Sequence, residues 1–152
     1  MKAAEITDRL IDELRTGRFR HARVNYANGD MVGHTGVRDA AVLAVEAVDL
    51  SLGRLLPVIQ ALGGAAIVTA DHGNADEMIE FDKKTKALAR DASGRLRPKT
   101  SHTLNPVPLH IVGAAGLTLA EVPGAGLANI AATVLHLLGF AAPEGYSPSL
   151  LR

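Results

Sequence analysis

No cysteine occurs among the 152 residues, which excludes a disulfide framework and any thiolate metal site. A surplus of charge is lacking too. Sixteen Lys and Arg balance sixteen Asp and Glu, so the chain as a whole offers no electrostatic case for nucleic acid or an anionic membrane surface. No apolar run approaches the ~18 residues of a membrane span, and the opening Met1-Lys2-Ala3-Ala4-Glu5 has no apolar core of a secretory signal. Internal repeats, low-complexity tracts and a convincing linker are also absent. These absences lead us to expect a cytoplasmic protein with neither nucleic-acid nor membrane partners, whose metal chemistry, if it has any, uses His and carboxylates. With 47% hydrophobic residues the chain can bury one core, and residues 1–152 are expected to form a single domain.

The patterning alternates helix and strand. Ile6, Leu10, Ile11 and Leu14 share a helical face, and Gly17 stands where a left-handed cap would end it, so a helix is predicted over about residues 2–16. Residues 22–27, with β-branched and aromatic side chains, read as a strand leading into a turn at Asn28-Gly29-Asp30. Between 37 and 62, Ala41, Val45, Val48, Leu52, Leu55, Ile59 and Leu62 recur at intervals of four and three, the mark of an amphipathic helix. Pro57 lies inside that pattern and predicts a kink or break, and Gly63-Gly64 ends it. Residues 65–70 form a continuous apolar run of strand length, the kind expected of a parallel strand covered on both faces. Residues 107–112 read as a strand with prolines at its start, and 127–138 as a closing helix before Gly139. Residues 81–99 hold seven basic side chains against two acidic ones, with turns at Asp82-Lys83-Lys84-Thr85 and Asp91-Ala92-Ser93-Gly94. They predict short hairpins, either a solvated excursion or a basic flap near an anionic substrate.

Three clusters carry chemistry. Asp30-Met31-Val32-Gly33-His34-Thr35-Gly36 sets a carboxylate and an imidazole four residues apart, a spacing that can converge on one cation. Thr69-Ala70-Asp71-His72-Gly73-Asn74 puts Asp and His at the carboxyl end of the apolar strand, the usual edge for sites in open α/β sheets. Ser101-His102-Thr103-Leu104-Asn105-Pro106-Val107-Pro108 leads into the next strand. Carboxylate mixed with imidazole suits Mn²⁺, Zn²⁺ or Fe²⁺, with Mn²⁺ first. One such pair alone is as well explained by helix capping and loop hydrogen bonds. Three at the ends of separate elements argue more strongly for metal. His21, His110 and His136 read as core or surface residues, and Asn74 and Asn105 as residues that hold their loops.

Taken in series, these three motifs resemble the last motifs of the cofactor-independent phosphoglycerate mutases, members of the alkaline phosphatase superfamily, and the resemblance runs over nearly the whole chain. It implies an α/β fold: a partial alkaline-phosphatase-like sheet, mostly parallel, flanked by helices, with a small β-hairpin excursion. It implies that Asp30, His34 and His102 bind one metal and Asp71 and His72 part of a second, with Mn²⁺ at both and Zn²⁺, Fe²⁺ or Co²⁺ as substitutes. The activity implied is the glycolytic interconversion of 3-phosphoglycerate and 2-phosphoglycerate through a phosphoserine.

The family completes its second site with an Asp and a nucleophilic Ser from near its amino terminus, and no motif for either precedes Asp30. The substrate-binding domain of the family, with its arginines and catalytic histidine, is likewise unmatched. The chain is therefore expected to supply metal ligands but no catalytic residue, to depend on an amino-terminal portion of the same enzyme, and to be inactive alone. Two rival readings are a non-catalytic metal-binding module and another phosphomutase or phosphatase of the superfamily.

Overall fold

The structure is a computed structural model that describes residues 1–82 and 84–152; Lys83, in the first expected hairpin turn, lies outside the described residues. In chain order the elements are α1 (Ala3–Arg15), α2 (Asn28–Gly33), α3 (Arg38–Ala61), β1 (Ala66–Thr69), β2 (Leu109–Val112), and a 3-10 turn (Leu127–Asn129) that runs into α4 (Ile130–Leu137).

The two long helices follow the sequence closely. α1 buries Ala3, Thr7 and Ile11, and Gly17, at φ 67°, takes the left-handed conformation that releases the chain from it. α3 buries Ala41, Ala44, Ser51 and Leu55, mostly small side chains that let α1 and α2 pack along it. Arg54 of α3 pairs with Asp8 of α1. The break expected at Pro57 does not occur: α3 continues through it to Ala61. One missing amide bond in the last turns of a 24-residue helix is outweighed by the rest of the ladder.

Residues 22–27 form no strand. Their β-prone composition finds no ladder partner among the described residues, and a strand without a partner leaves its backbone groups to water. The segment is held instead by Tyr26, whose hydroxyl lies 2.7 Å from the fully buried Thr7 Oγ1. The turn expected at Asn28-Gly29-Asp30 is the first part of α2.

β1 and β2 are where expected, but they pair antiparallel, Ala66 opposite Val112 and Thr69 opposite Leu109. Among the described residues this is the whole sheet, so the expected mostly parallel sheet is not formed. The apolar run predicted burial, which does not specify the direction of a partner; β1 is half-buried, with Thr69 exposed.

The excursion is present as three short segments joined by isolated bridges, Ile79 with Pro98, Phe81 with Leu88 and Arg90 with Leu96. Asp82 Oδ1 accepts from the amides of Lys84 and Thr85, and Asp91 Oδ1 from those of Ser93 and Arg95. At the carboxyl end, Thr133 Oγ1 is fully buried and accepts from the Leu150 amide while donating to the Asn129 carbonyl, which ties the tail to α4.

The exposed surface is 10427 Å², against roughly 7,400 Å² for a compact monomer of this mass. Large apolar side chains such as Leu43, Val45, Leu50 and Phe81 stand open on it. No helix among the described residues is long and apolar enough to cross a membrane.

Candidate metal centre

α2 carries the first two candidate ligands. Asp30 and His34 are one helical turn apart, so both project from the same side of α2, with His34 as its C-terminal cap. His102 arrives from the far end of the hairpin excursion, a separation of 68 residues from His34. Two close approaches bring that segment in. Gly36, at φ 69°, packs against Pro98, where a Cβ would come within 2.6 Å of the proline Cβ. Gly73 pairs with Thr103, whose amide donates to the Gly73 carbonyl at 2.8 Å.

The three ligand atoms form a nearly equilateral triangle. Asp30 Oδ1 lies 3.0 Å from His102 Nε2 and 3.3 Å from His34 Nε2, and the two Nε2 atoms are 3.2 Å apart. Ligands bound at about 2.1 Å to one divalent cation stand ~3.0–3.4 Å from one another, so the donor set fits a single ion. The His34 ring is fixed from behind. Its Nδ1 lies 2.6 Å from the Thr100 carbonyl, which can only accept, so Nδ1 carries a proton and the neutral ring offers its lone pair to the triangle from Nε2.

The Asp30 carboxyl is held below its ordinary value chiefly by the hydrogen bond from Asn74, against a smaller opposing effect of burial, with His34, His102 and His72 adding to the lowering. It is therefore an anion where a cation would sit.

Asp71 and His72 are arranged differently. Asp71 is largely exposed, and its Oδ1 is 3.6 Å from His72 Nε2. The His72 ring stacks on that of His102, centroids 3.7 Å apart, and its Nδ1 faces the Gly73 carbonyl at 3.3 Å. Among the described residues the only group of three potential ligand residues whose ligand atoms lie within 4.8 Å of one another is Asp30, His34 and His102. The second pair thus adjoins the triangle through one ring face but does not enter it. His21 and His110 are exposed, and His136 Nδ1 lies 3.0 Å from Ser149 Oγ.

Several residues that build this region carry no motif signal of their own. Asp76 Oδ2 accepts from Thr103 Oγ1 at 3.0 Å and from Asn105 Nδ2 at 2.7 Å, joining the loop after β1 to the segment before β2. Burial acts against its ionisation but is outweighed by these bonds and by backbone amides, so its carboxyl also lies below the ordinary value. Lys99 bonds Glu77 Oε1 at 2.8 Å, and Arg97 pairs with Glu80 at 3.0 Å. These two cations of the excursion are engaged with neighbouring carboxylates. Thr103 and Asn105 inside the third motif are the one hint of the Asp76 tie in the sequence. The role of the Thr100 carbonyl, being backbone, has none.

Known proteins resemble this chain along most or all of its length. A match to the Metalloenzyme superfamily covers residues 1–142. The chain is 50% identical to a 2,3-bisphosphoglycerate-independent phosphoglycerate mutase of Trypanosoma brucei brucei and 47% identical to that of Ricinus communis; in both cases all of this chain aligns with 28% of the relative. A crystal structure of Leishmania mexicana phosphoglycerate mutase at low cobalt concentration superposes over the whole chain and 28% of its own length, with a TM-score of 0.94 and 47% identity. The chain thus spans just over a quarter of the length of the relatives it matches. From the match over residues 1–142, the chain belongs to the Metalloenzyme superfamily.

Proposed function

We propose that these 152 residues are the carboxy-terminal portion of the metal-binding domain of a 2,3-bisphosphoglycerate-independent phosphoglycerate mutase, with Asp30, His34 and His102 holding one divalent cation and Asp71 and His72 contributing to a second. The observation that carries this reading is the triangle of donor atoms 3.0–3.3 Å apart. Mn²⁺ is the ion proposed, since one carboxylate with two imidazoles suits it, and Co²⁺ suits the same donors. A cation bound there supplies Lewis-acid neutralisation of phosphoryl oxygens and lowers the pKa of a coordinated hydroxyl.

The chain's own residues prepare that site. Asp30 brings the negative charge, kept ionised by Asn74. His34 brings a lone pair whose direction is set by the Thr100 carbonyl. His102 brings a second imidazole, with its ring face covered by His72. In the proposed reaction the phosphoryl group of 3-phosphoglycerate passes to a serine and returns to the neighbouring hydroxyl of glycerate. That serine, the remaining ligands of the second position and the groups that hold glycerate are proposed to come from outside the 152 residues, in the rest of a cytoplasmic glycolytic enzyme. The similarity of 45–50% to proteins that carry this activity supports the choice of reaction.

Titration calorimetry with Mn²⁺ and an enolase-coupled assay of 2-phosphoglycerate test this reading together. One tight site per chain and no mutase turnover by the chain alone are expected, since a missing phosphoryl acceptor and missing substrate positioning each cost orders of magnitude in rate. Absence of any Mn²⁺ binding, or robust turnover that disappears in His34→Ala, would overturn it.

A further inference from the structure

Asn74 lies two residues beyond His72, and only 5% of it is exposed. Among the described residues its side chain makes no bond within its own loop. Nδ2 crosses to α2 and donates twice to one residue: to Asp30 Oδ1 at 2.7 Å and to the Asp30 carbonyl at 3.2 Å. The carboxylate oxygen it contacts is the atom that faces both imidazole Nε2 atoms.

The other end of the amide is buried with no hydrogen-bond partner among the described residues. Turning the amide over would not relieve this, because its oxygen would then face two oxygens of Asp30. A stranded buried acceptor is unfavourable, so the orientation is one that the bonds to Asp30 impose. Room for it comes from α2 itself. Asn74 Oδ1 rests against Gly33, where a Cβ would collide with it.

We propose that Asn74 is a positioning residue of the metal centre, which fixes the Asp30 carboxylate so that Oδ1 turns toward the imidazoles without itself touching the cation, and that Gly33 is bare in order to admit it. The proposal rests on reading the triangle as a cation site. It makes the first metal position depend on the loop that carries the second pair of ligands.

The test is a Mn²⁺ titration of the full chain, followed by calorimetry and by the electron paramagnetic resonance of free Mn²⁺, with metal-free thermal melts beside it. Asn74→Ala should weaken binding about 10–100-fold, the usual effect of removing a hydrogen-bond partner of a ligand, with stoichiometry unchanged and the metal-free melt shifted little. Gly33→Ala removes no polar group and favours its helix, yet it should weaken binding comparably by displacing Asn74 Oδ1.

In the double variant the added methyl has nothing to displace, so binding should match that of Asn74→Ala alone. Losses that add in the double variant overturn the proposal, as does a Gly33→Ala variant that binds as the unaltered chain does. An affinity loss in Asn74→Ala matched by a collapse of the metal-free melt assigns Asn74 to the fold alone, and so also overturns it. These results leave the cation site standing. Failure of the unaltered chain to bind Mn²⁺ removes the site and this proposal with it.

Discussion

The Asp30–His34–His102 triangle and the Asp71–His72 pair offer the same donor types at adjoining places, yet their surroundings differ. Each member of the triangle that comes from α2 is gripped from another part of the chain, Asp30 by Asn74 and His34 by the Thr100 carbonyl. Among the described residues the ion-pair partner of the Asp71 carboxylate is His72 alone, at 3.6 Å, and Asp71 is four-fifths exposed. His72 stacks on His102, and among those residues its Nδ1 meets only the carbonyl of the next residue, Gly73, at 3.3 Å, against the 2.6 Å contact behind His34. Neighbouring ligands in a sequence therefore do not make a site. What pre-forms a metal position is a second layer that removes rotamer freedom before the ion arrives.

The difference can be broken most directly by removing one ligand from each. His34→Ala should lower Mn²⁺ affinity by about 100-fold or more, and Asp71→Ala by less than about threefold, since a ligand that is already oriented contributes more than one that must be ordered on binding. Equal losses by calorimetry would show that the two places are equally organised.

A smaller effect is expected at the hinge that brings in Thr100. Gly36→Ala forces a side chain into the left-handed region and against Pro98, which should cost ~1–3 kcal/mol of stability. Urea unfolding would read that cost, and the accompanying fall in Mn²⁺ affinity would show that the carbonyl behind His34 is delivered by this approach. Gly73→Ala is the matching change at the second loop, where a Cβ would run into Thr103 Oγ1 and lie 2.6 Å from Asp76 Oδ1.

The smallest effect concerns acid. Asp76 ties the two loops as a carboxylate whose folded pKa lies below the ordinary value. Its contribution is thus fully present above the unfolded value of about 3.9 and is lost as pH falls through the folded one. Asp76→Asn should lower the urea midpoint slightly at pH 7 and leave it nearly unchanged at pH 2. A difference that persists undiminished at pH 2 would mean that the ionised form is not what holds the loops.

The helices were legible because their signals are local. The extents of α1 and α3 follow apolar spacing, and Gly17 and Gly63 end them with positive φ, although Ile6, Val45 and Leu62 of the expected faces are exposed. The hairpin excursion was legible from Asp and Gly at turn positions, and its Asp82 and Asp91 caps are in place. Strand direction was not, because residues 65–70 state only that they are apolar. Nor was the fate of residues 22–27, since a strand exists only with a partner. Asn74 read as a residue that holds its own loop, but its side chain bonds to Asp30.

What the sequence by itself determined is therefore the long helices, their glycine stops and the set of residues able to ligate a metal, all of which depend on spacing along the chain and on side-chain chemistry. Only the tertiary structure decided which of those ligands meet. His34 and His102 are 68 residues apart and face each other across 3.2 Å because Gly36 and Gly73 allow two loops to approach, and because Asn74 and a backbone carbonyl fix the side chains that result. Such contacts depend on distance in space, which spacing along the chain does not encode.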